Sequence, residues 1–102
     1  METAKYIAEV LGGPGQIRMM TGCKVYGIKE ENGSGGLTLA DLPNSKYQFV
    51  EIKYMPGPDL FSVKFTRIRK FKIIEEKLLT DLYVDQLKSL IESETGLYLT
   101  LR

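Results

Sequence analysis

A chain of 102 residues, 43% of them hydrophobic and 26% charged, has room for one domain whose core needs neither disulfides nor metal. Fourteen basic residues against thirteen acidic ones leave a net charge of +1, which excludes a whole-surface attraction to nucleic acid or anionic lipid, though not a local patch. Histidine is absent and Cys23 is the single cysteine, so His-dependent nucleophiles, most zinc sites and an internal disulfide are excluded; no catalysis and no cofactor are expected.

In chain order, residues 3–11 place Ile7, Val10 and Leu11 at helical spacing, with Thr3 as a starting cap and Gly12-Gly13-Pro14 as a stop. The Gly12-Gly-Pro-Gly15 run lacks the spacing, the lysine and the preceding strand of a phosphate-binding loop, and reads as a plain turn. Two short strands are expected at 17–20 and 24–28, bent apart at Gly22, with Met19 and Met20 filling gaps in the core and Cys23 a small buried residue. Residues 30–36 are Gly- and Ser-rich and read as a mobile loop around Asn32-Gly33, followed by a brief strand at 37–39.

Residues 47–54 alternate as a strand, with Gln48, Val50, Ile52 and Tyr54 facing the core and Tyr47, Phe49, Glu51 and Lys53 on the other face. Met55-Pro-Gly-Pro58 makes the reversal into 59–74, which is expected to form two antiparallel strands joined by a short basic turn at the centre of the sheet. After Glu75-Glu76-Lys77, a helix is expected from Asp81 to Glu94, capped by Thr80 or Asp81, with Tyr83, Val84, Leu87, Leu90 and Ile91 as its apolar face and Gly96 ending it. The alternating residues 97–101 would add a final strand. Together these elements predict an α+β fold: a mostly antiparallel sheet of five to seven short strands, with an N-terminal and a C-terminal helix packed on it, in one domain over 1–102.

Several separated motifs agree in order with a family of small proteins encoded by bacteriophages and other mobile elements. They are Leu11-Gly-Gly13, Met20-Thr-Gly22, Asp59-Leu-Phe-Ser-Val-Lys-Phe-Thr-Arg-Ile68, Leu82-Tyr-Val-Asp-Gln-Leu87 and Glu94-Thr-Gly-Leu-Tyr98. The chain resembles that family over most of its length and departs from it in the longer segment 30–36 and the bulkier Arg69-Lys-Phe-Lys72. What the resemblance implies is a genomic context, with a bacterial host, more than a mechanism.

The candidate site is the basic cluster Lys64, Arg67, Arg69, Lys70 and Lys72. On a strand pair it would present several cations beside aromatic rings, a surface suited to phosphate backbones or an acidic protein; its alternative role is charge protecting an exposed strand edge against aggregation. Asp81, Asp85, Glu92 and Glu94 read as a solvated acidic helix face.

Three functions are open. The first is a non-catalytic binding protein that occupies a protein surface of the host, such as a defence component. The second is a single-stranded nucleic-acid binder using the basic hairpin with Tyr47, Tyr54 and Phe71, and the third an oligomeric small-ligand sponge with interface pockets at Arg67, Arg69 and Tyr98. A single cysteine fits a reducing cytoplasm, here that of the host. No apolar run approaches the roughly 20 residues that span a bilayer, and the start of the chain is amphipathic, so no membrane partner is expected. A homodimer or higher homo-oligomer is expected, through the alternating edge at 97–101.

Overall fold

A computed structural model of the protein describes residues 3–13, 15, 17, 21–31, 34–43 and 45–96, with the backbone alone at 29–31. Helix α1 (Thr3–Val10) forms where the 3.6-residue pattern places it and buries Ile7 and Ala8, with Leu11 just beyond its end. The stop is also as expected: the Gly13 amide donates to the Ala8 carbonyl, five residues back, at 2.7 Å and closes the last turn.

Of the strand expected at 17–20, Ile17 alone is described, and its backbone is helical. Gly15, Ile17 and Thr21 have helical backbone, the Ile17 amide donates to the Gly13 carbonyl at 2.9 Å, and the Thr21 hydroxyl donates to the Ile17 carbonyl at 2.7 Å. Ile17 and Thr21 are four residues apart, a spacing that suits one helix face, and both are buried. Residues 18–20, including Met19 and Met20, lie outside the described residues.

Five strands follow, β1 (Lys24–Glu31), β2 (Ser34–Ala40), β3 (Phe49–Met55), β4 (Leu60–Arg69) and β5 (Lys72–Leu82), each antiparallel to the next in the order β1-β2-β3-β4-β5. The α+β class with an antiparallel sheet holds, and three details of the expectation change. Residues 30, 31 and 34–36 belong to paired strands of the sheet: Glu31 stands opposite Ser34, and Gly35 and Gly36 are buried within β2. A Cβ on Gly36 would sit 2.0 Å from the Ile52 carbonyl oxygen, so this glycine serves the close approach of β3 to β2. Asn32 and Gly33 lie outside the described residues.

The hairpin within 59–74 exists, but it ends the described sheet, and β3 takes the centre. Its second strand is also much longer than expected. Residues 75–82 pair with β4, as in Thr66 opposite Glu76 and Val63 opposite Leu79, so the C-terminal helix cannot begin at Asp81. A single 3-10 turn (Val84–Gln86) leads into helix α2 (Leu87–Thr95), opened by the Tyr83 amide donating to the Gln86 side-chain oxygen at 2.8 Å. Neither Thr80 nor Asp81 caps it. Gly96 ends it with φ 78°, in the left-handed region as expected. The strand expected at 97–101 lies outside the described residues.

The core occupies one face of the sheet. Ile7, Leu11 and Ile17 from the N-terminal part and Leu87 and Ile91 from α2 meet Leu37, Leu39, Val50, Ile52, Phe61, Val63 and Phe65. Facing pairs in register, such as Leu39 with Val50 and Val50 with Phe65, lie on that side, as do Ile52 and Val63. Each such side chain contributes about 1.5–3 kcal/mol on full burial. Tyr47, expected to face outward, is fully buried: it precedes β3 and escapes its alternation, and its ring lies 5.2 Å from that of Phe65. The opposite face carries rows such as Tyr26, Thr38, Glu51, Lys64 and Leu78, one from each strand, and no described helix covers it.

Candidate functional site

The β4–β5 hairpin divides the five candidate cations into two groups. Below its apex, acids on β5 pair with the cations on β4. Lys64 Nζ lies 2.8 Å from Glu76 Oε2, and accepting that hydrogen bond Glu76 holds the lysine pKa above its ordinary value. Arg67 lies 3.8 Å from Glu75, directly opposite it in register. The Tyr47 hydroxyl donates to the other oxygen of Glu75 at 3.2 Å, which ties this pair to the core. These two cations are therefore part of a cross-strand lattice on the sheet, as a charge-protected strand would have it.

The other three sit at the apex. Arg69 and Lys72 face each other across the last ladder pair, and Lys70 and Phe71 form the two-residue turn between them. None of Arg69, Lys70 and Lys72 has an ion-pair partner among the described residues. Both turn residues have positive φ, 51° at Lys70 and 65° at Phe71. A two-residue hairpin loop of this twist normally takes Asn-Gly or a similar pair, because a side chain with a Cβ costs about 1–2 kcal/mol per residue in the left-handed region. Here the turn holds a lysine and a phenylalanine instead. The Phe71 ring stands wholly in solvent, at 103% of its reference exposure.

Down β5 from the apex, Ile73, Ile74 and Leu78 are 50–61% exposed. Register shifts at Arg67/Ile68 and at Phe61/Val63 leave extra residues on β5, around Ile74 and before Leu82. The apex therefore continues into an apolar margin along the strand.

Compared with known proteins, the chain matches no family model, no curated protein and no solved structure.

The remaining candidates fall into place less favourably. Of the aromatics considered for base stacking, Tyr47 is fully buried, and Tyr54 is half-buried with its hydroxyl on Asp59 and its ring 5.2 Å from Phe61. The bond to Asp59 raises the Tyr54 pKa. Phe71 alone of the three faces solvent. Arg67, half of the arginine pair considered for a small-ligand pocket, is engaged by Glu75, and Tyr98 lies outside the described residues.

The acidic residues do not form a common solvated helix face. Asp81 belongs to β5, and Glu94 bonds Lys77 Nζ at 2.8 Å, which fastens α2 to the sheet and raises the lysine pKa. Cys23 is buried, and its amide donates to the Thr21 hydroxyl at 3.2 Å, the small structural residue expected. Among the described residues no three metal-binding side chains gather, and no helix is long and apolar enough to cross a membrane.

Sequence reasoning missed the apolar margin Ile73, Ile74 and Leu78, and it missed the partners of Lys64 and Arg67. A signal for the second was present. Folding the sequence back on itself at the Lys70–Phe71 turn brings Glu75 and Glu76 to the level of Arg67 and Thr66, once one extra residue is allowed for a bulge.

Proposed function

We propose that this protein is a non-catalytic binding protein that acts by occupying a surface of another protein, through the apex of the β4–β5 hairpin. The observation that carries the reading is Phe71, wholly exposed between Arg69, Lys70 and Lys72 on a turn whose backbone disfavours both of its residues. Strain of this kind persists where it serves contact and the surrounding structure holds it in place. An exposed aromatic flanked by cations that meet no described acid fits a partner with an apolar pocket rimmed by carboxylates. The apolar margin along β5 favours a protein over a nucleic acid, which would meet one exposed ring and three cations there.

The resemblance to phage and mobile-element proteins supports a partner in the bacterial host, in its cytoplasm, with a defence component as one such target. The absence of histidine supports a role without bond-making. Self-association belongs to the same reading, because β5 ends the described sheet and exposes Ile73, Ile74 and Leu78, and such an edge is readily paired with its own copy.

Purification of the tagged protein from host lysate tests the reading: one protein co-eluting near equal stoichiometry is expected, and none at any salt concentration would overturn it. Single-stranded nucleic-acid binding is the second reading, supported by the same three cations. It requires oligonucleotide affinity that falls steeply with salt, and no binding at low salt removes it.

A further inference from the structure

β5 is eleven residues long and pairs with β4 on one side, with no described strand on the other. Between its two bulges, residues 75–79 keep a regular register, so this stretch can extend a ladder. Its two faces are fixed by their contacts. Glu75 meets the buried Tyr47 hydroxyl and Lys77 meets Glu94 of α2, on the helix side; Glu76 meets Lys64 and Leu78 stands opposite Lys64, on the open side.

We propose that two copies of the chain pair through β5, antiparallel, with Glu76 on the two-fold axis, joining the two sheets into one. The inference rests on the self-association named above and adds its surface and register. A two-fold axis perpendicular to an antiparallel ladder passes between a residue and its own copy, so the possible registers are few.

Centred on Glu76, the axis sets Glu75 opposite Lys77 of the second copy on the helix side. It brings the exposed Ile74, at the bulge beside this stretch, near the exposed Leu78 of the second copy, and both contacts occur twice. The like charges at the axis are each already neutralised by Lys64 at 2.8 Å. Centring on Glu75 sets Ile74 against Glu76 and Ile73 against Lys77. Centring on Lys77 sets Leu78 against Glu76 and Leu79 against Glu75. Centring on Leu78 sets Glu75 against Asp81. Of the registers centred on residues 75 to 78, this one alone matches charge with opposite charge and apolar with apolar.

The test is a register-specific cross-link in the full chain, followed on non-reducing gels alongside sedimentation. Glu76→Cys is expected to form a disulfide dimer under mild oxidation, since opposed residues have Cα atoms about 4.5–5.5 Å apart, within disulfide reach. Leu78→Cys is expected to stay unlinked, its copies lying roughly 13 Å apart along the strands or more. The wild type, whose one thiol is the buried Cys23, is the blank. Leu78→Lys, which exchanges a solvent-facing side chain, is expected to fold normally and weaken the dimer about tenfold or more, equivalent to about 1.4 kcal/mol.

A strict monomer in sedimentation overturns both this inference and self-association. A dimer in which Glu76→Cys fails to link, or Leu78→Cys links equally well, overturns the β5 register and leaves self-association standing. Neither result touches the binding of a different protein at the apex.

Discussion

The base and the apex of the β4–β5 hairpin are built from the same residue types and treat them in opposite ways. At the base, Phe61, Val63 and Phe65 are buried, and Lys64 and Arg67 each meet a carboxylate across the ladder. At the apex, six residues beyond Phe65, Phe71 stands fully in water, and Arg69, Lys70 and Lys72 meet no acid among the described residues. Backbone conformation differs in the same sense: β4 is regular strand, and Lys70 and Phe71 both carry positive φ. The base is spent on folding. The apex contributes nothing to the core and carries local strain, so its residue choice needs an explanation outside stability.

The sharpest way to break that contrast is to delete each ring. Phe65→Ala is expected to destabilise the protein by about 3–5 kcal/mol, and Phe71→Ala to stay within about 0.5 kcal/mol of wild type, both by chemical denaturation. Equal losses would mean that the two ends of the hairpin are not distinct.

A second expectation concerns the tightly packed half of the sheet. Gly36→Ala forces a Cβ toward the Ile52 carbonyl oxygen and should cost about 1–3 kcal/mol, seen as a lower denaturation midpoint. An unchanged midpoint would show that β2 and β3 are less closely joined than the geometry states.

The third turns the sign around. Replacing the apex turn by Lys70→Asn with Phe71→Gly supplies the residues such a loop ordinarily uses, and should raise stability by about 1–2 kcal/mol in the same assay. A loss instead would place the wild-type apex among the stabilising parts of the fold.

The smallest effect is on pH. Lys64 and Lys77 have pKa values raised by Glu76 and Glu94, so what they contribute is complete below the ordinary lysine value of about 10.4 and is lost as pH rises through their raised values. With no histidine in the chain, stability should be flat from about pH 6 to 8 and should decline in strong alkali, measured by thermal melts across that range.

Much of this arrangement was legible in the residues. The 3.6-residue stripe of Ile7 and Leu11, the Gly12-Gly13 stop, the alternation of Val50 and Ile52 and the left-handed Gly96 all act locally, and each is found where periodicity places it. What local pattern does not carry is order within the sheet. The run from Phe61 to Ile74 is dense in β-formers, which suggested a central position, whereas centrality depends on how many strands follow, and none does among the described residues.

Composition also misled at 34–36, where Gly36, which looks like part of a flexible linker, is demanded by the approach of β3. The helix was expected from Asp81, with 75–77 leading into it, because the charged and apolar positions of 75–82 do not by themselves declare a strand, and only pairing with β4 does so. The five candidate cations were chosen by their density. Which of them remain available depended on Glu75 and Glu76, whose relation to β4 is a matter of register.

The most direct test of the central claim is the amount of partner protein that the Lys70→Asn, Phe71→Gly variant retains from host lysate, side by side with wild type at equal loading. A contact site at the apex predicts that the variant, folded and more stable, retains little or none. Capture at the wild-type level would show that the exposed ring and its turn are not where the protein makes contact.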